Sequence, residues 1–483
     1  MASVEWLSWS REAFARARSE QRPVLLFIAA PWCAASREMT CTTYEDPAVL
    51  AMIRDRFIPL LVDAERRPDI AERYALGGYP TTAFLDASGA IVGGGTFLPI
   101  ARMRDALTRI ADAFATRRAE IVDRSPSVAE SAPASTSIPS RDDLLVLTFK
   151  SFDDEHGGFG TGPKFPLAAP LALALTRYRD SRDAGMARMV ETTLDAMGWG
   201  GLYDEVEGGF FRCAATRDWR EPRCEKLLDV NATLLRLYLE ASSTLKIARY
   251  AERAADVVRY VQTSLADQAE GGWAGSQAAD DVYYGLPAAQ RRTRPTPAID
   301  ATLYSTGNAA MASAMLQASA LLNDPALGEF ALRSLERVVL ATYRPGQGVA
   351  HYVDGDQPMV RGLLDDQIAM ASAQLDAYEA TGNVVYEMMA QELMHYALRT
   401  MWDERGGGFF DRCEADDSEA VGLMATRLKP FVSNCEAARA LRQLSEVTGD
   451  RGFQEKADAA LDAVLATAVN HGPLAAHVLL AGA

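Results

Sequence analysis

The sequence lacks a Cys-x-x-Cys pair, although one of its six cysteines stands where such a pair would begin. Scattered cysteines without that spacing favour a reducing compartment over a disulfide framework, so a cytoplasmic location is expected. The chain has only five histidines and carries no HxxxH, HExxH or Cys/His cluster. It therefore predicts no metal site, and no other motif in it predicts a cofactor.

Long apolar runs and an excess of positive charge are missing as well. No stretch reaches the roughly 18 apolar residues of a membrane span. The first residues lack the basic and apolar segments of a signal peptide, so none is expected. The formal net charge of −16 argues against nucleic acid or an anionic membrane as a partner. A chain of 483 residues is expected to form two or more domains.

Residues 1–120 alternate helix and strand signals, an order that predicts a mixed-sheet α/β domain. The apolar run at 24–28 predicts a buried strand, and Trp32-Cys33 follows it at the start of a predicted helix. Thioredoxin folds place their reactive thiol at such a point. A helix N-terminus favours a thiolate over a thiol, so Cys33 is predicted to be the reactive cysteine.

The residue that would resolve a mixed disulfide is absent, because Ser36 stands three positions after Cys33. Cys41 is a poor replacement, since eight residues along a helix span about 12 Å, which exceeds the Cα separation of a disulfide. Ordinary dithiol exchange is therefore not expected. A glycine pair and Tyr79 precede Pro80 and a β-rich run, which predicts a cis-proline at a strand start beside the thiol.

Residues 121–140 are rich in Ser, Ala and Pro and are predicted to be a linker. Helical patterns dominate residues 141–483, and a turn of glycines plus an aromatic residue recurs between them. Its copies stand at 157–160, 208–211, 271–273 and 407–410. Repeated helical hairpins indicate a stacked or closed array. The predicted fold class is a multidomain chain, with an N-terminal α/β thioredoxin-like domain followed by an all-α (α/α)6 toroid.

Acidic residues near the glycine-aromatic turns are the candidate catalytic groups of the toroid. Paired carboxylates in a funnel can supply a general acid and a base, or a nucleophile. Glu225 and Asp229 would share a helix face if their segment is helical. The alternative is structural: Asp365-Asp366 could cap a helix, and the other acids could form ion pairs. The predicted catalytic residues are Cys33, Asp204, Glu225, Asp229 and Asp365, and the predicted substrate-binding residues are Trp32, Pro80, Tyr203, Phe210, Lys226, Asn231 and Phe409.

Several motifs in a fixed order carry a family resemblance. They stand at 33–39, 44–46, 62–69, 77–80, 94–99, 157–160, 163–166, 200–204 and 225–229. The chain resembles the thioredoxin-domain-containing family that includes spermatogenesis-associated protein 20, over nearly its whole length. The resemblance implies a thioredoxin-like domain fused to a six-hairpin toroid. That toroid is similar in fold to sugar 2-epimerases and six-hairpin glycosidases.

Two departures mark this chain as a divergent member of the family it resembles. The family pattern has a second cysteine followed by histidine, where this chain has Ser36-Arg37. It has a histidine-aromatic pair before Glu-Lys, where this chain has Arg223-Cys224.

Three hypotheses remain open. The favoured one is a soluble enzyme of carbohydrate metabolism with a small polar, sugar-like substrate in the toroid funnel. The second is a monothiol redox protein whose Cys33 engages a thiol-bearing substrate or protein, and the third is a non-catalytic scaffold.

Overall fold

The computed structural model describes residues 3–124, 138–414 and 418–482, with side chains from 117 to 124 excepted. It divides into two compact units. The first unit comprises residues 1–133 and 414–428, and the second comprises residues 134–413 and 429–483. Residues 414–428 are predicted from the sequence to be part of the toroid but belong to the first unit; we call them the late segment. Residues 125–137 of the predicted linker lie outside the described residues.

A four-stranded mixed sheet forms the centre of the first unit, in the order β2-β1-β3-β4. Strand β1 runs parallel to β2 and antiparallel to β3, and its first five residues are all buried, as its continuous apolar sequence predicts. The predicted α/β architecture is confirmed. The strands are β1 Val24–Ala29, β2 Ile58–Asp63, β3 Thr81–Leu85 and β4 Ile91–Gly95. The helices are α1 Arg11–Ser19, α2 Ala34–Cys41, α3 Pro47–Arg56, α4 Pro68–Tyr74 and α5 Ile100–Arg124.

Hydrogen bonds from side chains of α4 and its N-cap hold the late segment against the rest of the first unit. The guanidinium of Arg67 pairs with Asp69 and with Glu419, each through two hydrogen bonds of 2.9–3.0 Å. The Tyr74 hydroxyl accepts from the Leu423 amide at 2.8 Å and donates to the Gly89 carbonyl at 2.9 Å. Because these contacts satisfy polar groups on both sides, the late segment is an integral part of the first unit.

The second unit is a ring of helix pairs. Six inner helices follow one another around the ring in the order α7, α9, α13, α15, α17, α19, and α19 packs back on α7 to close it. Each inner helix packs against one outer helix, and the closing pair joins α6 to α19. This is the predicted (α/α)6 toroid. The helices of the ring are α6 Arg141–Phe149, α7 Ala168–Ser181, α8 Ala184–Gly198, α9 Leu228–Leu245, α10 Ala248–Tyr260, α13 Ser305–Leu322, α14 Pro325–Thr342, α15 Leu364–Thr381, α16 Val384–Thr400, α17 Phe431–Thr448, α18 Arg451–Leu465 and the short α19 Ala476–Ala481.

Short helices and strands lie between the helices of the ring. The remaining helices are α11 Asp281–Tyr284 and α12 Ala288–Arg291, and the strands are β5 Cys213–Ala214, β6 Pro222–Arg223, β7 Lys226–Leu227, β8 Ser276–Gln277, β9 Ile299–Asp300, β10 Leu303–Tyr304, β11 Tyr343–Arg344, β12 Gly348–Asp354 and β13 Gln357–Arg361. Strand β12 pairs with β10, β11 and β13. Among the described residues, no helix combines the length and the apolar character needed to cross a membrane.

In each predicted glycine-aromatic turn, a lysine or arginine side chain binds the turn; we call this arrangement the turn latch. In each copy an aspartate precedes the glycine pair, and a cationic side chain donates both to that carboxylate and to a glycine carbonyl of the turn. Both glycines of every pair have positive φ, which explains the residue type. The cation–aspartate pairs are Lys164–Asp153, Lys226–Asp204, Arg337–Asp267 and Lys429–Asp403.

An asparagine of the next inner helix clamps three of these turns. The side chain of Asn231 accepts from the amide of Phe210 at 2.8 Å and donates to its carbonyl at 3.0 Å. Asn308 clamps Trp273 and Asn434 clamps Phe409 in the same way. The repeated motif thus joins each of these turns to the start of an inner helix.

Candidate functional site

The thiol of the first unit lies where strand β1 gives way to helix α2. Cys33 is the N-cap of α2, is 9% exposed, and its Sγ is 3.6 Å from the Tyr79 carbonyl oxygen. The Tyr79–Pro80 peptide bond is cis, which confirms that prediction. The Trp32 indole donates to the Glu65 carboxylate at 2.8 Å. The sequence-predicted residues Trp32, Cys33 and Pro80 therefore lie in one neighbourhood.

Ser36 lies inside this neighbourhood but does not face a second thiol. It is buried in the first turn of α2, and its hydroxyl oxygen accepts from the Ala30 amide at 3.2 Å. Cys41 is exposed at the last residue of the same helix. The first unit thus offers one thiol at a helix N-terminus, which can form a mixed disulfide but has no neighbouring thiol to resolve it.

Two exposed acids lie in the first turns of inner helices in the second unit. Asp229 is the second residue of α9 and Asp365 is the second residue of α15, and both side chains are exposed. The N-caps are Leu227 and Leu363, so these acids do not cap their helices. Burial by the surrounding protein raises the pKa of Asp229.

Asp365 belongs to a group of polar side chains contributed by neighbouring inner helices. Burial raises its pKa; a hydrogen bond with Ser433 of α17 opposes the shift, while the charges of Asp366 and Asp411 add to it. A carboxyl group in this state keeps its proton at higher pH than usual. Such a group is suited to donating a proton to a bound molecule.

Asp366, next to Asp365, is 1% exposed and holds a histidine that sequence reasoning did not pair with it. The His351 Nδ1 lies 2.9 and 3.1 Å from the two Asp366 carboxylate oxygens, and the Thr306 hydroxyl donates to Oδ1 at 2.6 Å. His351 comes from strand β12 and Thr306 from inner helix α13. Fifteen residues separate the two members of the pair, and no local pattern in the sequence indicates their contact.

A second histidine–carboxylate pair lies on the last two inner helices. The His477 Nδ1 of α19 is 2.7 Å from a Glu436 carboxylate oxygen of α17. Burial raises the pKa of Glu436, but His477 and Arg439 outweigh it and hold that pKa below its usual range. No group of three or more metal-ligating side chains occurs within the described parts of the chain.

The structure corrects two of the predicted site residues, because they build a turn latch. The Lys226 ammonium is fully buried and lies 2.7 Å from both an Asp204 carboxylate oxygen and the Gly208 carbonyl. Arg291 also donates to Asp204, at 2.7 Å. Both charges of Asp204 and Lys226 are thus satisfied inside the core. This placement favours the structural alternative, an ion pair, over a catalytic acid and a substrate-binding cation.

The predicted aromatic wall is corrected as well. Phe210 and Phe409 are fully buried and Tyr203 nearly so, and Phe210 stacks on Tyr238 inside the core. Asn231 is the buried clamp described above and does not face a substrate space. The rings are in the core because the turn latch holds their backbone against the next inner helix.

Glu225 is corrected in its placement. It precedes helix α9, which begins at Leu228, so Glu225 and Asp229 do not share a helix face. Its carboxylate is nearly buried and accepts from Arg212 at 2.5 Å. Arg212 also lowers the pKa of Asp229 by its charge, against the larger effect of burial. Glu225 therefore contacts Arg212, whose charge also acts on Asp229.

Comparisons with known proteins agree with both units. Residues 1–132 match the family model Thioredox_DsbH, described as a protein of unknown function, DUF255. Spermatogenesis-associated protein 20 of Homo sapiens is 22% identical over 597 residues, covering 94% of this chain and 75% of the human protein. The resemblance drawn from the motifs is confirmed. The Mus musculus protein is 28% identical over 307 residues, which cover 57% of this chain and 39% of the mouse protein.

Solved structures similar to the chain share the toroid fold. Cellobiose 2-epimerase from Bacillus thermoamylovorans B4167 has a TM-score of 0.54 and 12% identity, and the match covers 66% of this chain and 83% of the epimerase. D-mannose isomerase has a TM-score of 0.54 and 13% identity, with 68% of this chain and 88% of the isomerase covered. At these identities the similarity establishes the fold of the second unit alone.

Proposed function

We propose that the second unit is an acid–base enzyme that acts on a small polar, sugar-like molecule bound beside the N-termini of its inner helices. The observation that carries the proposal is Asp365. Solvent reaches its side chain, yet the protein around it raises the pKa of its carboxyl group, and the next residue in the helix is the buried Asp366. Two adjacent carboxyl groups in different environments are what a general acid and its partner require.

The proposed roles follow from the positions of the acids. Asp365 keeps its proton and donates it to a substrate oxygen, while Asp229, on another inner helix, binds or polarises a hydroxyl of the same molecule. Carboxylates and hydroxyls suit a polyhydroxy substrate because they can both accept and donate hydrogen bonds. The shared fold with a cellobiose 2-epimerase and a D-mannose isomerase supports the substrate class as an analogy.

Proton NMR with a panel of aldoses, ketoses and disaccharides in D2O tests this function. Turnover of one of them is expected, and Asp365→Asn is expected to lower kcat by about 10²-fold or more. The matched control is Asp462→Asn, an exposed acid on the outer helix α18, which should leave turnover unchanged. Turnover that survives Asp365→Asn, or a panel with no substrate and no binding, would contradict the proposal.

A second candidate function rests on the first unit. We propose that Cys33 forms mixed disulfides with a thiol-bearing substrate or protein, because it is the N-cap of α2 and lies beside the Tyr79 carbonyl. Iodoacetamide labelling at neutral pH, followed by peptide mass spectrometry, should modify Cys33 ahead of the more exposed Cys41. The controls are Cys33→Ser and Cys41→Ser. Labelling that begins at Cys41 would overturn this candidate.

A further inference from the structure

The solvent-exposed faces of the inner helices show which side chains share the space inside the ring. Along α9 and α15, side chains that solvent reaches recur at intervals of four, three and four residues, which place them on one face of each helix. The face of α9 begins at Asp229 and includes Arg236, and that of α15 begins at Asp365 and includes Asp376. The Arg236 guanidinium lies 3.0 Å from an Asp376 carboxylate oxygen, although α13 separates the two helices in the ring. The two faces therefore line one common space, the funnel of the ring.

Helix α17 connects this space with a histidine. Ser433 of α17 forms a hydrogen bond with Asp365. Glu436 lies three residues further along the same helix, so the two side chains are neighbours on its surface. The Glu436 side chain is 31% exposed, and one of its carboxylate oxygens is 2.7 Å from the Nδ1 of His477. His477 belongs to α19, which packs on α17 as α15 does. The pair of Glu436 and His477 and the acid Asp365 therefore border the same space, on the two sides of α17.

The surroundings of His477 define which of its ring nitrogens can react. Burial opposes the ionisation of Glu436, but His477 and Arg439 hold its pKa below the usual range, so at neutral pH the carboxylate only accepts hydrogen bonds. Nδ1 must therefore donate to it, and the lone pair of the neutral ring is on Nε2. The His477 side chain is 17% exposed, and Glu436 is the only hydrogen-bonding partner of its ring among the described residues. Arg439 donates to the other Glu436 oxygen at 2.9 Å and limits the rotation of the carboxylate.

The other four histidines of the chain are placed differently. His156 lies in a glycine turn, His395 is on outer helix α16, and His471 stacks on an aromatic ring just before α19. His351 is paired with a carboxylate, but its side chain is only 10% exposed and makes further interactions. Among the described residues, His477 is therefore the only histidine on an inner helix.

We infer that His477 transfers protons in the reaction of the second unit and that Glu436 is its positioning residue. The inference rests on the proposed function and adds a base to the site where Asp365 is the acid. Nε2 accepts the proton as an O–H or acidic C–H bond of the substrate breaks, and the electron pair of that bond stays on the substrate. The Nδ1–H···Glu436 hydrogen bond stabilises the resulting imidazolium, and Nε2 returns the proton to the product.

Diethyl pyrocarbonate tests whether Nε2 of His477 is open, because this reagent acylates unprotonated imidazole nitrogens that solvent reaches. The full chain is treated at neutral pH, and peptide mass spectrometry follows each histidine separately. His477 should be modified clearly faster than His351, the buried reference, whereas His395 on α16 is the exposed reference and should react fastest. Modification of His477 as slow as that of His351 would overturn the inference.

The tautomer of His477 tests the role of Glu436 without a substrate. In protein labelled with 15N-histidine, two-dimensional NMR should report hydrogen on Nδ1, and His477→Gln identifies the signal. Glu436→Gln should move hydrogen to Nε2, because a side-chain amide can donate to Nδ1. The matched control is Glu446→Gln, at an exposed acid of the same helix, which should leave the tautomer unchanged. Hydrogen on Nε2 in the unsubstituted protein would mean that His477 cannot be the proton acceptor.

Kinetics with the substrate found in the NMR panel separates this inference from the proposed function. His477→Gln should lower kcat by about 10²- to 10⁴-fold with little change in KM. Glu436→Gln should lower kcat as well, because Nε2 then carries hydrogen and cannot accept a proton, whereas the control His395→Gln should leave turnover unchanged. If Asp365→Asn is inactive while His477→Gln retains full turnover, the funnel enzyme stands and the role of His477 falls. If no variant changes turnover, the proposed function falls, and this inference with it.

Discussion

At the scale of the residue, the folded structure disfavours the ionised form of Asp365 in the second unit. Asp365 has a raised pKa because protein surrounds it and because other acids lie nearby. A raised pKa in the folded state means that the ionised form is less favourable there than in the unfolded chain. At pH 7 this carboxyl group therefore lowers the free energy of unfolding.

Asp365→Asn should stabilise the protein near neutral pH. Unfolded aspartate ionises near pH 3.9, so the penalty is absent below that pH and grows as pH rises through the folded pKa. Thermal unfolding should show a higher melting temperature for the variant at pH 7 and no gain at about pH 4. Asp462→Asn serves as control. A variant less stable at pH 7 would contradict the assignment.

At Ser36 the chain holds a hydroxyl where a thiol would complete a redox pair. Ser36→Cys should form a disulfide with Cys33 under oxidising conditions, because the two residues are the N-cap and third residue of α2. Intact mass spectrometry should detect the loss of two hydrogens, and insulin reduction should rise above the level of the unchanged protein. Ser36→Ala adds no thiol and should show neither effect. An equal rise in Ser36→Ala would refute the explanation.

At the scale of elements, the turn latch is an ion pair that recurs in the turns between the helices of the ring. Its copies differ in burial: the Lys226 side chain is 0% exposed, whereas that of Lys429 is 24% exposed. Breaking a buried ion pair costs about 3–5 kcal/mol, whereas an exposed pair is worth about 0–1 kcal/mol. The latches should therefore contribute unequally to stability.

Lys226→Met should lower the free energy of unfolding by about 3 kcal/mol or more, since it leaves the buried Asp204 with one partner fewer. Lys429→Met is the matched substitution in a copy that solvent reaches, and it should cost about 1 kcal/mol. Hydrogen exchange of the full chain, read by mass spectrometry around Gly208 and Gly407, compares the two losses locally. Equal losses in the two variants would mean that burial does not set the strength of the latch.

The elements show what the sequence could predict. The strand before Trp32-Cys33 and the hairpin repeats are local patterns, so the α/β domain and the toroid were predicted. An aspartate precedes the glycine pair by the same interval in each turn, but the lysine that pairs with it follows by 11, 22 or 26 residues. The structural role of Lys226 therefore could not be predicted from a regular spacing. The contact of His351 with Asp366 could not be predicted, because it depends on how a strand packs against an inner helix.

At the scale of the whole molecule, the first unit is discontinuous in sequence. Gly422 of the late segment has a φ of +57° and approaches the Gly89 backbone so closely that an added Cβ would lie 2.7 Å from its carbonyl oxygen. Gly449, which ends helix α17, has a φ of +75° with no atom within 4 Å of an added Cβ. Both glycines have a left-handed backbone, but only Gly422 is also closely packed. An alanine at Gly449 therefore measures the cost of the backbone conformation alone, and an alanine at Gly422 adds the cost of the close contact.

Gly422→Ala should loosen the first unit, whereas Gly449→Ala should cost only the left-handed backbone penalty of about 1–2 kcal/mol. Hydrogen exchange with mass spectrometry should show faster exchange around Leu423 and Gly89 in Gly422→Ala. Local exchange is the appropriate measurement because a chain of two units need not unfold in one step. Unchanged exchange around Leu423 would show that the late segment is not held there.

The discontinuity of the first unit also has a consequence in time. A ribosome delivers residue 133 roughly 300 residues before it delivers the end of the late segment at 428. At about 5–20 residues per second, that interval is on the order of 15–60 s. During it the nascent N-terminal domain carries Arg67 and Tyr74 without Glu419 and Leu423. The hydrogen bonds between the N-terminal domain and the late segment form only after most of the toroid has been synthesised. Because synthesis runs from the N-terminus, the first domain to be made is thus one of the last to be completed.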